Sequence, residues 1–259
     1  MSSIDEHGFL SEDIENLKKK YHEKYWPSFD LAYKFSSFAQ KLLFEINAHD
    51  NKPQELLLAL FYIRAVSNYQ IIIILLEKGA LFEARIIFRS LVEIMFGFVA
   101  CAKDINLAKM YILNDLKDSL KSINKLKQSE KLMAKLSGYG DIDRREEDLK
   151  VQIEKEKVKH LSTEDLSRKA DLHDHYTTVY HTLSQTAHVK IRDLEQHVDL
   201  STVKFRWGPR EHDLNFILLT ATGEFIVIVK TLIDFYSISK MSQADKFEEL
   251  CANLMKKLK

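Results

Sequence analysis

Three charged residues interrupt one of the most apolar stretches of the sequence, ARIIFRSLVEIMFGFVACA at residues 84–102. Arg85, Arg89 and Glu93 are spaced four residues apart, so a helix would carry them along one face. Because a charge buried without a partner is costly, this stripe either forms a buried ion-pair network or lines a pocket. In a pocket, the planar fork of Arg89 would suit a phosphate or a carboxylate, and Glu93 would orient a partner group.

A second polar row lies in the preceding apolar segment, residues 54–78, where Arg64 and Asn68 are again four residues apart. We expect the two rows to face each other on neighbouring helices. Arg64 and Asn68 are therefore candidate substrate-binding residues beside Arg89.

Five of the ten histidines fall within residues 173–197. Tyr180, Ser184 and His188 are spaced four and four, which predicts that they share one helix face. No two of these histidines are four residues apart and no His-Glu-x-x-His pattern occurs, so we expect no metal and no other cofactor. Ser184 and His188 could act as nucleophile and base, or His188 could move protons beside an arginine in phosphodiester cleavage. In the alternative, both residues only hydrogen-bond across the core to the charged stripe.

The elements that must position these residues are predicted to be helices. The chain has only 7 glycines and 3 prolines in 259 residues, too few for a sheet linked by tight turns. Apolar residues recur at helical spacing, and Gly79 is placed to end one helix. The sequence therefore predicts an all-α bundle of six or seven helices, including segments 11–48, 54–78, 80–103, 163–199, 211–239 and 242–258.

Between the two halves of this bundle, residues 114–160 are rich in Lys, Glu and Asp with only a narrow apolar stripe. We predict a charged helical hairpin that protrudes from the bundle and turns at SGYGD, residues 137–141. The chain is interpreted as a single domain, 1–259, whose core is residues 11–113 and 162–240. The hairpin would be a solvated spacer or a docking arm for a protein partner or a second copy.

Charge and cysteine content limit the classes of function. Lysine plus arginine equals aspartate plus glutamate, 38 each, which excludes a general basic surface for nucleic acid or anionic membrane. Two cysteines are too few for a disulfide framework. The first twenty residues lack a signal-peptide core, and the apolar segment 214–235 contains three charges. We expect a cytoplasmic protein that does not enter a membrane.

The segments EARIIFRSLVE (83–93) and YTTVYHTLSQTAH (176–188) together resemble a bacterial family of uncharacterised helical domains. In that family an Arg-Ser-Leu-x-x-Glu-like helix accompanies a Tyr-x-x-Leu-Ser-x-x-x-His helix. Here the first motif runs from Arg89 to Glu93, with its Glu one residue early, and the second is complete from Tyr180 to His188. The resemblance covers roughly residues 55–235 and implies a shared site without implying an activity.

A second, looser resemblance is to the HEPN (higher eukaryote and prokaryote nucleotide-binding) ribonucleases, which are small helical bundles, often dimeric, of toxin–antitoxin and phage-defence systems. It rests on RDLEQH, which supplies Arg192, Asp193 and His197. The resemblance implies RNA or a nucleotide as the ligand. The nearby KFRWGPR could contact RNA by charge and by stacking, or could be a plain interhelical loop; its candidate residues are Lys204, Arg206, Trp207 and Arg210.

Together these features lead to two hypotheses. In the first, the protein is a bacterial effector of a phage-defence or toxin-type system that cleaves or binds RNA without a metal, with Arg89 holding phosphate and His188 transferring protons. In the second, it is a non-catalytic interaction protein, a homo-oligomer or a scaffold that docks through residues 114–160. A nucleotide sensor is a third possibility.

Overall fold

The computed structural model describes residues 2–129, 131–133, 141–188, 191–199 and 201–258, with Arg192 described in its backbone only. It confirms the all-α prediction. The helices are α1 (Ser3–His7), α2 (Ile14–Leu42), α3 (Pro53–Glu77), α4 (Leu81–Lys103), α5 (Ile105–Lys127), α6 (Ile142–Lys155), α7 (Thr163–Lys169), α8 (His173–His175), α9 (His181–Ala187), α10 (Ile191–Leu194), α11 (Leu214–Phe235) and α12 (Met241–Lys256). A π-helical segment, Tyr176–Tyr180, joins α8 to α9.

The core is formed where α4 and α11 pack against each other and against α3, with α2 and α12 covering the far side. Its centre is aromatic. The rings of Tyr69 and Phe225 lie 4.7 Å apart, and Phe35 meets both at steep angles. The buried hydroxyl of Tyr69 pairs with Thr222 at 2.8 Å, so this polar atom in the core is satisfied. The helices α3 and α4, which carry the two polar rows, are therefore joined in the core by α11.

The charged hairpin is formed by α5 and α6, which pack against each other. None of the residues of α6 is buried, and Lys127 bridges the two helices by contacting Asp143 and Glu146. The first helix begins at Ile105, nine residues before the predicted start at 114, because Asp104 caps it by accepting the Asn106 N–H. The predicted turn at 137–140 lies outside the described residues.

The single helix predicted over residues 163–199 is wrong. A capping box on Ser162 starts α7 as the sequence indicates. However, Asp171 adopts a left-handed conformation, φ 61°, and ends that helix. The chain then forms α8, the π segment and α9, and the helix ends again at Ala187. After α10 it becomes extended, and residues Val198–Asp199 (β1) pair antiparallel with Lys204–Phe205 (β2).

Gly79 makes the turn between α3 and α4 and also anchors a distant loop. Its φ of +70° is the left-handed conformation that glycine adopts most easily. The Gly79 carbonyl accepts a hydrogen bond of 2.8 Å from the Arg210 N–H. A Cβ atom at this position would lie 2.9 Å from Pro209 Cβ. The turn therefore holds the loop 206–213 against the beginning of α4.

Two of the described helices, α3 and α11, are long and apolar enough to cross a membrane by length and composition. In the structure α11 is a core helix, with 67% of its most apolar window buried inside the bundle.

We predict that Gly79→Ala lowers the free energy of unfolding by about 2 kcal/mol or more, because the left-handed conformation is strained and the new methyl group collides with Pro209. Gly208→Ala is the matched control. Gly208 has φ +74°, but its Cβ would meet only Ile4 at an ordinary 3.5 Å. Urea denaturation of both variants measures the difference. Equal losses would show that the loop is not held against the turn.

Candidate functional site

Arg89, Glu93 and Tyr180 form a closed hydrogen-bonded set, here called the Arg89 triad. One Nη atom of Arg89 donates to the Tyr180 hydroxyl at 2.9 Å, and that hydroxyl donates to Glu93 Oε1 at 2.8 Å. Arg89 and Glu93 also pair directly at 2.8 Å. The guanidinium lies 5.2 Å from the centre of the Tyr180 ring, within the range of a cation–π contact.

The triad neutralises the charge of Arg89 inside the protein. Burial disfavours the charged guanidinium, but the hydrogen bond to Tyr180 and the charge of Glu93 outweigh burial and raise the pKa of Arg89. The Nε of Arg89 is buried and has no hydrogen-bond partner among the described residues. Arg89 could therefore take up a phosphate only if Glu93 or Tyr180 moved aside.

The π-helical segment brings Tyr180 to this position. A π turn holds more residues than an α turn, and it is found preferentially at functional sites. Tyr180 is the last residue of the segment, stacked on Tyr176 at 5.1 Å and set edge-on against Phe96 of α4 at 6.1 Å. These rings fasten the segment to the same helix that carries Arg89.

Of the second polar row, only Asn68 contacts the helix that carries Arg89. Asn68 is buried and donates to Ser90 Oγ at 3.1 Å, which links α3 to α4. Arg64 is exposed to solvent. The expectation that Arg64 joins Asn68 beside Arg89 is therefore wrong, because the face of α3 that carries Arg64 lies outside the bundle.

Ser184 and His188 do not form the predicted pair. The Ser184 hydroxyl is buried and has no hydrogen-bond partner within the described part of the chain. His188 is exposed and follows the last residue of α9, with φ −97° and ψ 10°. The spacing of four and four holds only while a helix continues. Because α9 ends at Ala187, His188 leaves the face that Tyr180 and Ser184 share.

The remaining predicted residues lie near the beginning of α4. His197 packs its ring 4.5 Å from that of Phe82, and Arg206 pairs with Asp199 at 3.0 Å. The side chain of Arg192 lies outside the described residues. None of the described hydrogen bonds connects His197 or Arg206 to the Arg89 triad.

A cavity of about 350 Å³, here called the arginine cavity, opens one helical turn before Arg89. It lies between the first turns of α4 and the loop 206–213. Its charged lining is basic apart from one carboxylate, and comprises Arg85, Arg206, Arg210, His212 and Asp213. Helical spacing predicts Arg85 on the charged stripe, and Arg210 belongs to the KFRWGPR segment that could contact RNA. No sequence pattern points to His212, and the convergence of these residues depends on the turn at Gly79.

The charges in the arginine cavity are not balanced. Arg85 pairs with Asp213 at 3.2 Å, and Arg206 is held by Asp199. The Nε and one Nη atom of Arg210, in contrast, are buried without a hydrogen-bond partner in the described ranges. Burial, and then the charge of Arg206, lower the pKa of Arg210. A bound anion would supply both the missing hydrogen-bond acceptors and the missing negative charge.

The beginning of α4 adds to the positive potential. Leu81 and Phe82, in its first turn, line the arginine cavity. The preceding residue, Ala80, offers no side chain to cap the free N–H groups. Helix N-termini of this kind attract phosphate groups through their N–H donors and the helix dipole.

A second basic cavity, of about 750 Å³, lies between α2 and α12. Its lysines are Lys34, Lys41, Lys240 and Lys246, of which three are exposed. Ammonium groups at an open surface are satisfied by water, whereas Arg210 is not. The arginine cavity is therefore the stronger candidate for an anion site.

A buried ion pair tethers α8 to the core. His175 Nδ1 lies 2.9 Å from both carboxylate oxygens of Glu224, which is buried in α11. The hydrogen bond to Glu224 raises the pKa of His175 above its usual value, against the opposing effect of burial. Among the described residues, no group of three or more His, Cys, Asp or Glu side chains could hold a metal ion.

Comparison with known proteins connects these elements to one family. The model of a family of unknown function, DUF5677, matches residues 55–205, which is more than half of the chain. The matched region contains the whole Arg89 triad and ends before Arg210. No curated protein and no solved structure matches the chain.

We predict that Tyr180→Phe lowers the free energy of unfolding by about 1.5–3 kcal/mol, because the ring remains while Arg89 and Glu93 both lose a charged hydrogen bond. Tyr176→Phe is the control, since the Tyr176 hydroxyl makes no hydrogen bond among the described residues. Urea denaturation measures both variants. A Tyr180→Phe protein as stable as the control would mean that the triad does not hold the segment 176–187 to α4.

The His175–Glu224 pair predicts a pH dependence of stability. The pKa of His175 is raised in the folded protein, so its contribution is complete below the unfolded value of about 6.5 and is lost as pH rises through the folded value. We expect wild type to exceed Glu224→Gln in free energy of unfolding by the widest margin near pH 6. The margin should shrink above the folded pKa. A margin constant across this range would exclude the charged pair, and Glu147→Gln, at an exposed position on the hairpin, controls for general charge effects.

Proposed function

Since the chain belongs to DUF5677, a family of unknown function, we propose its activity from the site itself: it binds a nucleotide or an RNA strand through phosphate groups in the arginine cavity. The observation that carries this proposal is Arg210. Its Nε and one Nη atom are buried beside Arg85 and Arg206 without a partner in the part of the chain that the structure describes. A phosphate accepts hydrogen bonds from several arginine forks at once and supplies the missing negative charge.

The surroundings of the cavity favour a nucleotide or RNA over a bare inorganic anion. Phe205 and Trp207, on either side of Arg206 in the chain, are largely exposed. Exposed aromatic rings next to arginines are typical platforms on which bases stack. This local patch is compatible with a net charge of zero, because the basic groups are concentrated on one loop and one helix end.

The geometry supports binding more than cleavage. For Arg89 to hold phosphate and His188 to transfer protons, the two side chains must meet. Arg89 is instead engaged by Glu93 and Tyr180, and His188 is exposed beyond the end of α9. In this proposal the Arg89 triad positions the segment 173–187, and RNA cleavage would require the triad to open.

A wider cellular role follows only from the resemblance to the HEPN ribonucleases. We propose a cytoplasmic bacterial effector of a phage-defence or toxin-type system, for which phosphate binding would be the recognition step. A scaffold that docks a partner through residues 114–160 is the competing role. It is favoured by the closed Arg89 triad and by α6, which has no buried residue.

We propose a homo-oligomer on the basis of one exposed surface. Five apolar side chains form a row along the outer face of α3 at helical spacing, namely Leu56, Leu60, Ile63, Ile71 and Ile74, each at least 39% exposed. Continuous apolar surface of this kind commonly marks a protein–protein interface.

The experiment compares Arg210→Gln with Arg144→Gln, a control on the exposed hairpin. Fluorescence anisotropy with a short single-stranded RNA, and calorimetry with a nucleoside monophosphate, measure affinity across a salt series. We expect Arg210→Gln to weaken binding about tenfold or more, because charged hydrogen bonds are each worth about 1.5–3 kcal/mol. The salt dependence should also become shallower.

Each result distinguishes the proposed phosphate site from an alternative. Equal affinities for the two variants would overturn the arginine cavity as the phosphate site. Binding of the nucleotide but not of RNA would restrict the ligand to small molecules. The same RNA samples run on a denaturing gel report cleavage, and products that disappear in Arg210→Gln would establish a nuclease rather than a binding protein.

A further inference from the structure

A second cavity, of about 260 Å³, adjoins the arginine cavity and is here called the Asp193 cavity. The two cavities share Arg85, Gln196 and Asp213 as common lining. The arginine cavity alone, at about 350 Å³, is near the lower limit of a typical small-molecule site, about 300–1,000 Å³, and the Asp193 cavity enlarges it. A nucleotide with its phosphate among the arginines would have room for its base in the Asp193 cavity.

Asp193 gives this cavity a specific chemical preference. Its side chain is only 7% exposed, and its Oδ1 is buried without a hydrogen-bond partner among the described residues. A carboxylate can only accept hydrogen bonds, so the group that completes it must be a donor. The other charged lining residues, Arg85 and Asp213, pair with each other at 3.2 Å. The rest of the wall is apolar or neutral, including Leu183, Phe216 and Ile217, and offers apolar surface for a ring.

We propose that the Asp193 cavity binds a guanine base, so that the ligand of the site is a guanine nucleotide; this inference rests on the proposed function. Guanine presents two adjacent donors, N1–H and the N2 amino group, which match the two oxygens of one carboxylate. Adenine and cytosine place an acceptor nitrogen beside their single amino group. Uracil flanks its N3–H with two carbonyl oxygens. In each of these bases an acceptor would face an oxygen of Asp193.

The distribution of donors and acceptors across the two cavities fits this ligand. The basic groups, Arg85, Arg206 and Arg210, are concentrated at the end next to the α4 N-terminus. The Oδ1 of Asp193, which has no hydrogen-bond partner among the described residues, lies in the neighbouring cavity. A guanine nucleotide likewise has acceptor oxygens at its phosphate and paired donors on its base. The opposite orientation would set phosphate against a carboxylate.

The inference predicts a change of specificity for Asp193→Asn. An amide keeps one acceptor oxygen but replaces the other with a donor. Xanthine has the matching edge, because it keeps N1–H and carries a carbonyl oxygen where guanine has its amino group. The variant should therefore lose affinity for GMP and gain affinity for xanthosine monophosphate, an effect that a misfolded protein cannot produce.

Calorimetry on the full chain tests this with four probes: GMP, IMP, AMP and xanthosine monophosphate. Wild type should bind GMP at least tenfold more tightly than AMP, and more tightly than IMP, which lacks the amino group. Asp193→Asn should weaken GMP binding about tenfold and favour xanthosine monophosphate. Asp148→Asn, an exposed aspartate on the hairpin, should behave as wild type.

The outcomes separate this inference from the proposed function. If wild type binds GMP and AMP equally and Arg210→Gln weakens both, phosphate binding stands and the guanine assignment is overturned. If wild type binds none of the four probes and no RNA, both are overturned. If it binds RNA alone, RNA with and without guanine is compared, and equal affinity also overturns the guanine assignment. A guanine preference in wild type that Asp193→Asn leaves intact would remove Asp193 as its cause.

Discussion

The arrangement of this protein depends on the need to satisfy charges that α4 carries into the bundle. A guanidinium taken out of water must find acceptors, and Arg89 finds them in Glu93 on its own helix and Tyr180 on the segment 176–187. That requirement fixes where the segment lies. Without it, a piece of chain made of short helices and a π turn would be held against α4 by its aromatic rings and by apolar side chains such as Leu183.

The same constraint is met differently one turn earlier on α4. Arg85 is paired with Asp213, but the loop that supplies Asp213 also brings in Arg206 and Arg210. The loop is held there by the turn at Gly79, whose carbonyl accepts the Arg210 N–H. Positive charge therefore accumulates at a helix N-terminus, and a bound anion would supply the acceptor that the described residues do not. One helix thus carries a closed network and an open one.

The closed and open networks suggest a division of labour between Arg89 and Arg210. Arg89 is paired with the Glu93 carboxylate, and although its Nε has no partner among the described residues, this ion pair contributes position. Arg210 has no carboxylate partner among the described residues, so it would contribute affinity for an anion. Arg85, which lines the arginine cavity, and Arg89 lie on adjacent turns of α4. A ligand in the arginine cavity would therefore lie close to the segment that Tyr180 holds. Asp193, on the short helix α10, lines the adjoining cavity and would contact the base that is attached to the phosphate.

The sequence by itself determined the helical class, the helix boundaries around Gly79 and Pro53, and the stripe that joins Arg89 to Glu93, because these follow from spacing along one helix and from local backbone preference. It could not determine which stripes face each other. Arg64 lies outside and His188 beyond a helix end, since helix rotation and termination are decided by packing with distant residues. Arg210 and Asp193 lie in KFRWGPR and RDLEQH, but the sequence does not show that they meet at one site. Only the folded chain does so, because it leaves polar atoms of both residues buried in adjoining cavities without a partner among the described residues.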